Sequence, residues 1–149
     1  EQAKLLAEKG DWTIEQIVEH IAIVQEGMFR ISAKLLTAAK AKGATANGEA
    51  KISNHFLQKA AEGQNQKFEA PEIVRPTGTQ SIAESFVKLD ETGTKLEELR
   101  PLFESVECSD FKFPHPFFGD LTAHDWLALV GGHEFRHIKQ IEEILKKVQ

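Results

Sequence analysis

Between positions 13 and 41 apolar residues fall at Ile14, Ile17, Ile21, Val24, Met28, Ile31 and Leu35. Steps of three and four residues collect these side chains on one face of an α-helix. Thr13, with Gln16 three positions on, makes a capping box, in which each side chain serves a backbone N–H that the helix start leaves without a partner. A second long helix is predicted from Thr79 or Ser81, where Ser81 and Glu84 repeat the box, through Ile82, Phe86, Leu89, Leu96 and Leu99. Pro101 ends or kinks it, because proline has no N–H for the helical ladder. Thr122 and Asp125 open a third, running to about Lys147.

The connection 43–78 holds glycine, asparagine, Pro71 and Pro76 with little sustained period, and only a short helix around 52–61 is predicted in it. Residues 111–120, rich in phenylalanine and proline, read as a tight loop that plugs one end of the core. Three amphipathic helices and almost no alternating pattern predict an all-α bundle, with residues 1–149 as one domain. A fourth helix is not evident, and residues 1–9 would be its short remnant.

Charge and composition narrow the partners. Lysine and arginine number 18 against 23 acidic residues, a net charge of −5, without a basic stripe to track phosphates, so nucleic acid is not an expected partner. No apolar run approaches the roughly 20 residues of a membrane span, and residues 1–12 lack the apolar stretch of a signal peptide. The chain therefore reads as soluble and cytoplasmic, away from membranes. It starts at Glu1, which leaves room for a leader or a helix removed upstream. The single cysteine, Cys108, has no internal partner for a disulfide and fits a reducing compartment.

Histidine carries the candidate chemistry. In Gly131-Gly132-His133-Glu134-Phe135-Arg136-His137 the two histidines are four apart, about 40° around the helix, and can converge on one ion. Trp126, Leu129, Val130, Ile141 and Ile144 share their side, so the pair points into the core. His20 lies within about 60° of Thr13, Ile17, Val24, Ile31 and Leu35 by the same arithmetic and points inward too. One such histidine alone is more often a hydrogen-bonded core residue. Three buried imidazoles must each find partners, and a shared metal satisfies all three at once.

His-Glu-x-x-His is also the helix motif of zinc proteases, with the glutamate as general base. The longer metzincin form would need glycine at 140 and histidine at 143, where this chain has Gln140 and Glu143, and only 12 residues follow His137. Glu134, about 100° from His133, is either a solvated helix glutamate or a catalytic residue that handles a proton beside the ligands. His55 and His124 are expected at the surface. His115, between Pro114 and Pro116, shapes its loop or lines a pocket, the first being favoured.

Three segments together resemble the DinB-like superfamily of bacterial four-helix-bundle metalloproteins: 12–21 (WTIEQIVEHI), 115–122 (HPFFGDLT) and 133–141 (HEFRHIKQI). In that family a tryptophan precedes the helix of the first histidine, and the last helix bears an H-x-x-x-H pair followed by glutamine; the matching positions are Trp12, His20, His133, His137 and Gln140. The resemblance implies an up-down-down-up four-helix bundle and a divalent ion, variously nickel, zinc or iron, held by three histidines with open positions. Here the family's first helix looks truncated, since only about eleven residues precede Trp12.

The resemblance implies thiol-dependent transferases and isomerases using low-molecular-weight thiols such as bacillithiol or mycothiol, and hydrolases, among the relatives. The expectation is a small metal-dependent enzyme in which a thiolate or hydroxide attacks a small electrophilic substrate. The alternative is a non-enzymatic metal-binding or stress-associated bundle. If the first helix is lacking, Ile14, Ile21 and Leu36 should form an exposed apolar flank, and a homodimer would cover it.

Overall fold

A computed structural model describes residues 1–5, 11–46 and 51–147. The order of elements is a 3₁₀ turn at Gln2–Lys4, α1 (Ile14–Ala41), α2 (Asn54–Gly63), a 3₁₀ turn at Glu72–Val74, α3 (Ile82–Glu98), α4 (Arg100–Ser105), β1 (Phe113–His115), β2 (Gly119–Leu121) and α5 (Ala123–Lys146). Among the described residues the architecture is an all-α bundle with one small hairpin.

Each long helix begins where its capping box sits. Thr13 with Gln16, Ser81 with Glu84, and Thr122 with Asp125 all make both reciprocal hydrogen bonds. Pro101 falls at the start of α4, where its missing N–H costs nothing because the first turn has no partner for it. The chain thus breaks at Leu99 and resumes as a short helix.

α1 is the centre of the bundle and packs against both α3 and α5. Ile14, Ile17, Val18 and Ile21 at its start meet Ile82 and Leu89 of α3 and Ile141, Ile144 and Leu145 of α5. Val24, Met28, Leu35, Leu36 and Ala39 further on meet Leu96 of α3 and Trp126, Leu129 and Val130 of α5. α3 therefore runs alongside α1 in the same direction and α5 runs opposite, giving the down-down-up part of the bundle. Parallel neighbours explain the long connection. α1 has 28 residues, about 42 Å at 1.5 Å each, and the chain must travel back that far before α3 begins.

Ile14 and Ile21 are 7% and 6% exposed and Leu36 is fully buried. The flank expected to be open is covered by the chain's own α3 and α5, so the reason given above for a homodimer falls away. Before Trp12 the described residues contain only the 3₁₀ turn at Gln2–Lys4; residues 6–10, part of the supposed helix remnant, lie outside them.

Two further differences have local causes. Phe86, expected on the packed face of α3, is 57% exposed beside Val87. α3 packs chiefly against α1, so it is the stripe of Ile82, Ser85, Leu89, Thr92 and Leu96 that is covered. Residues 111–120 do not form a mere loop but contain most of an antiparallel hairpin pairing Phe113 with Leu121 and His115 with Gly119. Strands of three residues are too short to show an alternating pattern. Gly119 turns the chain with a φ of 74°, and a Cβ there would sit 3.1 Å from the His55 ring.

Candidate metal centre

The two apolar clusters leave a gap between them along α5, occupied by His133 and His137 between Val130 and Ile141. On α1 His20 lies where the first cluster gives way to the second, flanked by Val18 and Ile21 and four positions before Val24. Because the helices are antiparallel, these residues meet. The Nε2 atom of His133 lies 3.1 Å from that of His20 and 3.2 Å from that of His137. Ligand atoms of all three residues fall within 4.8 Å of one another. Trp12 packs its ring on His20, with centroids 4.9 Å apart.

The outer nitrogens decide the tautomers. His20 Nδ1 is 2.7 Å from the Val74 carbonyl oxygen, which can only accept, so Nδ1 carries the proton and Nε2 a lone pair. His137 Nδ1 lies 2.8 Å from Gln140 Oε1, and donation to the amide oxygen again leaves a lone pair on Nε2. Two lone pairs thus face the Nε2 of His133. One proton on that nitrogen could serve only one of them well.

Protonating the rings is not a remedy, because the site is poorly solvated. Burial, reinforced by the neighbouring imidazoles His137 and His20, pushes His133 down to about 3. Burial also takes His137 down to about 4, against the opposing hydrogen bond to Gln140, and lowers His20 despite its bond to Val74. Three neutral rings with converging nitrogens suit a cation that is not a proton.

The two separations around His133 fit one, while the third pair, His20 and His137, lies within 4.8 Å. With metal–nitrogen bonds of about 2.1 Å, ligands at right angles are about 3.0 Å apart and tetrahedral ligands about 3.4 Å apart. The two separations around His133 fall between those limits.

Glu134 has no place among the converging nitrogens. It is half-buried on the side of α5, and burial raises its carboxyl above the ordinary range. His55 is exposed, as expected, and bonds the Phe118 carbonyl through Nε2. His115 holds its hairpin together: Nδ1 accepts the N–H groups of Phe117 and Phe118, and the ring stacks on Phe118 with centroids 4.7 Å apart.

His124 corrects the expectation of a surface residue, being 8% exposed. It does lie away from the His133 face, but α4 and the segment after it enclose the start of α5. His124 Nε2 bonds the Phe103 carbonyl and Nδ1 lies 3.3 Å from Cys108 Sγ.

The sequence does not foretell the burial of two carboxylates. Asp125, the capping-box partner of Thr122, is fully buried and also accepts the N–H and hydroxyl of Ser53, tying the start of α2 to the start of α5. Glu19, beside His20, is 2% exposed and holds Thr77 and Gly78. The only local hint for Asp125 is its capping box, and for Glu19 its place among apolar neighbours.

The fold and this centre define a helical bundle with an interior three-histidine cluster. The chain belongs to the DinB superfamily, whose sequence profile matches residues 2–141. A relative, the Uncharacterized protein YuaE of Bacillus subtilis (strain 168), is 26% identical over 145 residues, spanning 93% of this chain and 80% of its own. No solved structure matches the chain. Among the described residues no helix is long and apolar enough to cross a membrane.

Proposed function

We propose that His20, His133 and His137 hold one divalent cation, nickel, zinc or iron, and that the chain is a small metal-dependent enzyme acting on a small electrophilic substrate. The observation that carries this reading is the convergence of three Nε2 atoms, two of which are committed to lone pairs by Val74 and Gln140. Three neutral ligands leave the ion's charge uncompensated and a coordination position open. An ion so held acidifies a thiol or water that binds it.

The residues of the chain have separate tasks in this scheme. Val74 and Gln140 orient two of the ligands, as outer partners of metal-bound imidazoles do. The apolar clusters on either side keep bulk water from the ligand nitrogens. Glu134, half-buried and with its carboxyl raised by burial, is the nearby candidate for taking or giving a proton. The reaction class that suits this set is transfer of a low-molecular-weight thiol to an electrophile, or hydrolysis.

One observation favours a second reading, a metal that only stabilises the bundle. The centre lies between the two apolar clusters and joins α1 to α5, so a bound ion would also act as a cross-link. Elemental analysis of the purified protein, followed by transfer assays with several thiols and hydrolysis assays with small esters, separates the readings. Stoichiometric metal with turnover supports the enzyme. Metal without turnover across the panel favours the structural role, and protein that takes up no nickel, zinc or iron overturns both.

A further inference from the structure

The segment that crosses the start of α1, residues 74–78, is fastened to that helix at two successive positions. At the first, Glu19 Oε1 accepts the Thr77 N–H at 3.0 Å and the Thr77 hydroxyl at 2.6 Å, while Oε2 accepts the Gly78 N–H at 2.8 Å. At the second, His20 Nδ1 donates to Val74 O at 2.7 Å. The strap is closed on itself as well: Thr79 donates its N–H to Thr77 Oγ1, and the two threonine oxygens are 2.6 Å apart. Gly78 has a φ of 74°, which lets its N–H turn toward the carboxylate and disfavours any residue with a side chain.

The two fasteners differ in strength. A buried carboxylate that accepts three hydrogen bonds is costly to leave unpaired and strongly favours the strap's closed position. The single bond between an imidazole and a carbonyl is weaker, and it forms only where the strap has already been placed. Val74 ends its 3₁₀ turn through its own N–H to Pro71 O, and three residues later the chain is in the grip of Glu19. The position of the Val74 carbonyl therefore depends on the carboxylate next to His20.

We propose that Glu19 is a positioning residue for the histidine centre: by holding strap 74–78 it keeps the Val74 carbonyl on His20 Nδ1, and so turns the His20 Nε2 lone pair toward His133. When the strap is released, His20 Nδ1 loses its acceptor and the proton can settle on Nε2, facing the other rings. The statement about the tautomer stands on the contacts just given, and its consequence for affinity rests on the metal reading above.

The test uses the full chain with ¹⁵N-labelled histidine. Long-range ¹H–¹⁵N spectra of the metal-free protein report which nitrogen of His20 is protonated, and titration with nickel and with zinc reports affinity. In wild type His20 should be wholly the Nδ1–H form. Glu19→Gln places an amide N–H₂ against backbone donors; it should mix the two tautomers and weaken nickel and zinc binding about 10- to 100-fold. Thr77→Val removes one of the three donors and should give a smaller shift in the same direction, which keeps the inference testable if Glu19→Gln does not fold. His124→Ala is the control for general destabilisation and should move neither signal.

A folded Glu19→Gln protein with His20 still wholly Nδ1–H overturns the proposal, as does an unchanged tautomer in Thr77→Val if the first variant is lost. If the tautomer shifts but wild type binds neither metal, the strap inference holds and the metal reading fails. If metal binds equally well to both proteins and the tautomer does not move, the metal reading holds and this inference fails.

Discussion

His124 and the three-histidine centre both bury imidazoles, and they are finished differently. At the start of α5, His124 has a partner for each ring nitrogen. Nε2 donates to the Phe103 carbonyl, which forces Nδ1 to accept, and the Cys108 thiol supplies the proton. The sulfur in turn receives backbone N–H groups of Ala123 and His124, while burial holds the thiol protonated by raising its pKa. That network closes on itself. At the three-histidine centre the outer nitrogens of His20 and His137 are satisfied by Val74 and Gln140, but the inner nitrogens meet each other. Burial of a histidine is therefore no sign of function. What distinguishes the two sites is the hydrogen-bonding capacity left over after the protein has satisfied what it can.

The sharpest way to break this comparison is His133→Ala. Outer partners of metal ligands contribute about 10- to 100-fold to affinity, so loss of the ring that both others face should lower nickel or zinc affinity more than about 100-fold. In wild type a metal at 100 times its Kd should stabilise the fold by about 2.7 kcal/mol, seen as a rise in Tm, and the variant should show none of that rise. An unchanged rise would place the ion elsewhere and erase the contrast between the two sites.

His124→Ala is the opposite case. It opens a cavity and strips partners from Cys108 and the Phe103 carbonyl, so denaturant unfolding should show a loss of about 2–4 kcal/mol. Metal affinity should stay within about twofold of wild type, since the ring takes no part in the centre and affinity changes from remote sites are small. A large fall in affinity would mean that the two sites are coupled through α5.

Acid should act mainly through the open site. His133 is held down to about 3 and His137 to about 4 by burial, and His20 is lowered as well. In the unfolded chain these rings titrate near 6.5, so on acidification the unfolded state takes up protons first. The stability they contribute is complete above about pH 6.5. It should fall between there and about pH 4, with a slope of up to about 1.4 kcal/mol per pH unit for each ring. His115, pushed down to about 4 by burial, adds a slope of the same sign. Unfolding of the metal-free protein followed from pH 8 to pH 4 checks this, and replacing His133 with alanine should flatten the curve.

Glu134→Ala separates holding the metal from using it. Its carboxyl is not among the converging ligands, so metal affinity should change less than about threefold, well short of the loss caused by removing an outer partner. Turnover, wherever the thiol or ester panel finds it, should fall about 100-fold or more if Glu134 carries the proton. Unchanged turnover would remove it from the chemistry and leave the three imidazoles as the whole site.

The sequence by itself determined the three long helices, their starts and the inward direction of His20, His133 and His137, because each is written in residues three or four apart. Capping boxes join neighbours across one turn, and the face of a helix follows from its period. The histidine pair was legible for the same reason. His124 was misjudged because angle around a helix says which side a residue is on but not what else packs there; α4 and Cys108 enclose that side. The strap over His20 was hidden more deeply, since Val74 is 54 residues from His20 and Thr77 is 58 from Glu19. Only the tertiary structure decided that α3 runs parallel to α1, that the chain between them crosses the start of α1, and that a carbonyl and a carboxylate thereby select a tautomer. Hydrogen bonds at that separation depend on where whole helices pack, and packing of many apolar side chains leaves no local pattern that names the polar contacts it will bring together.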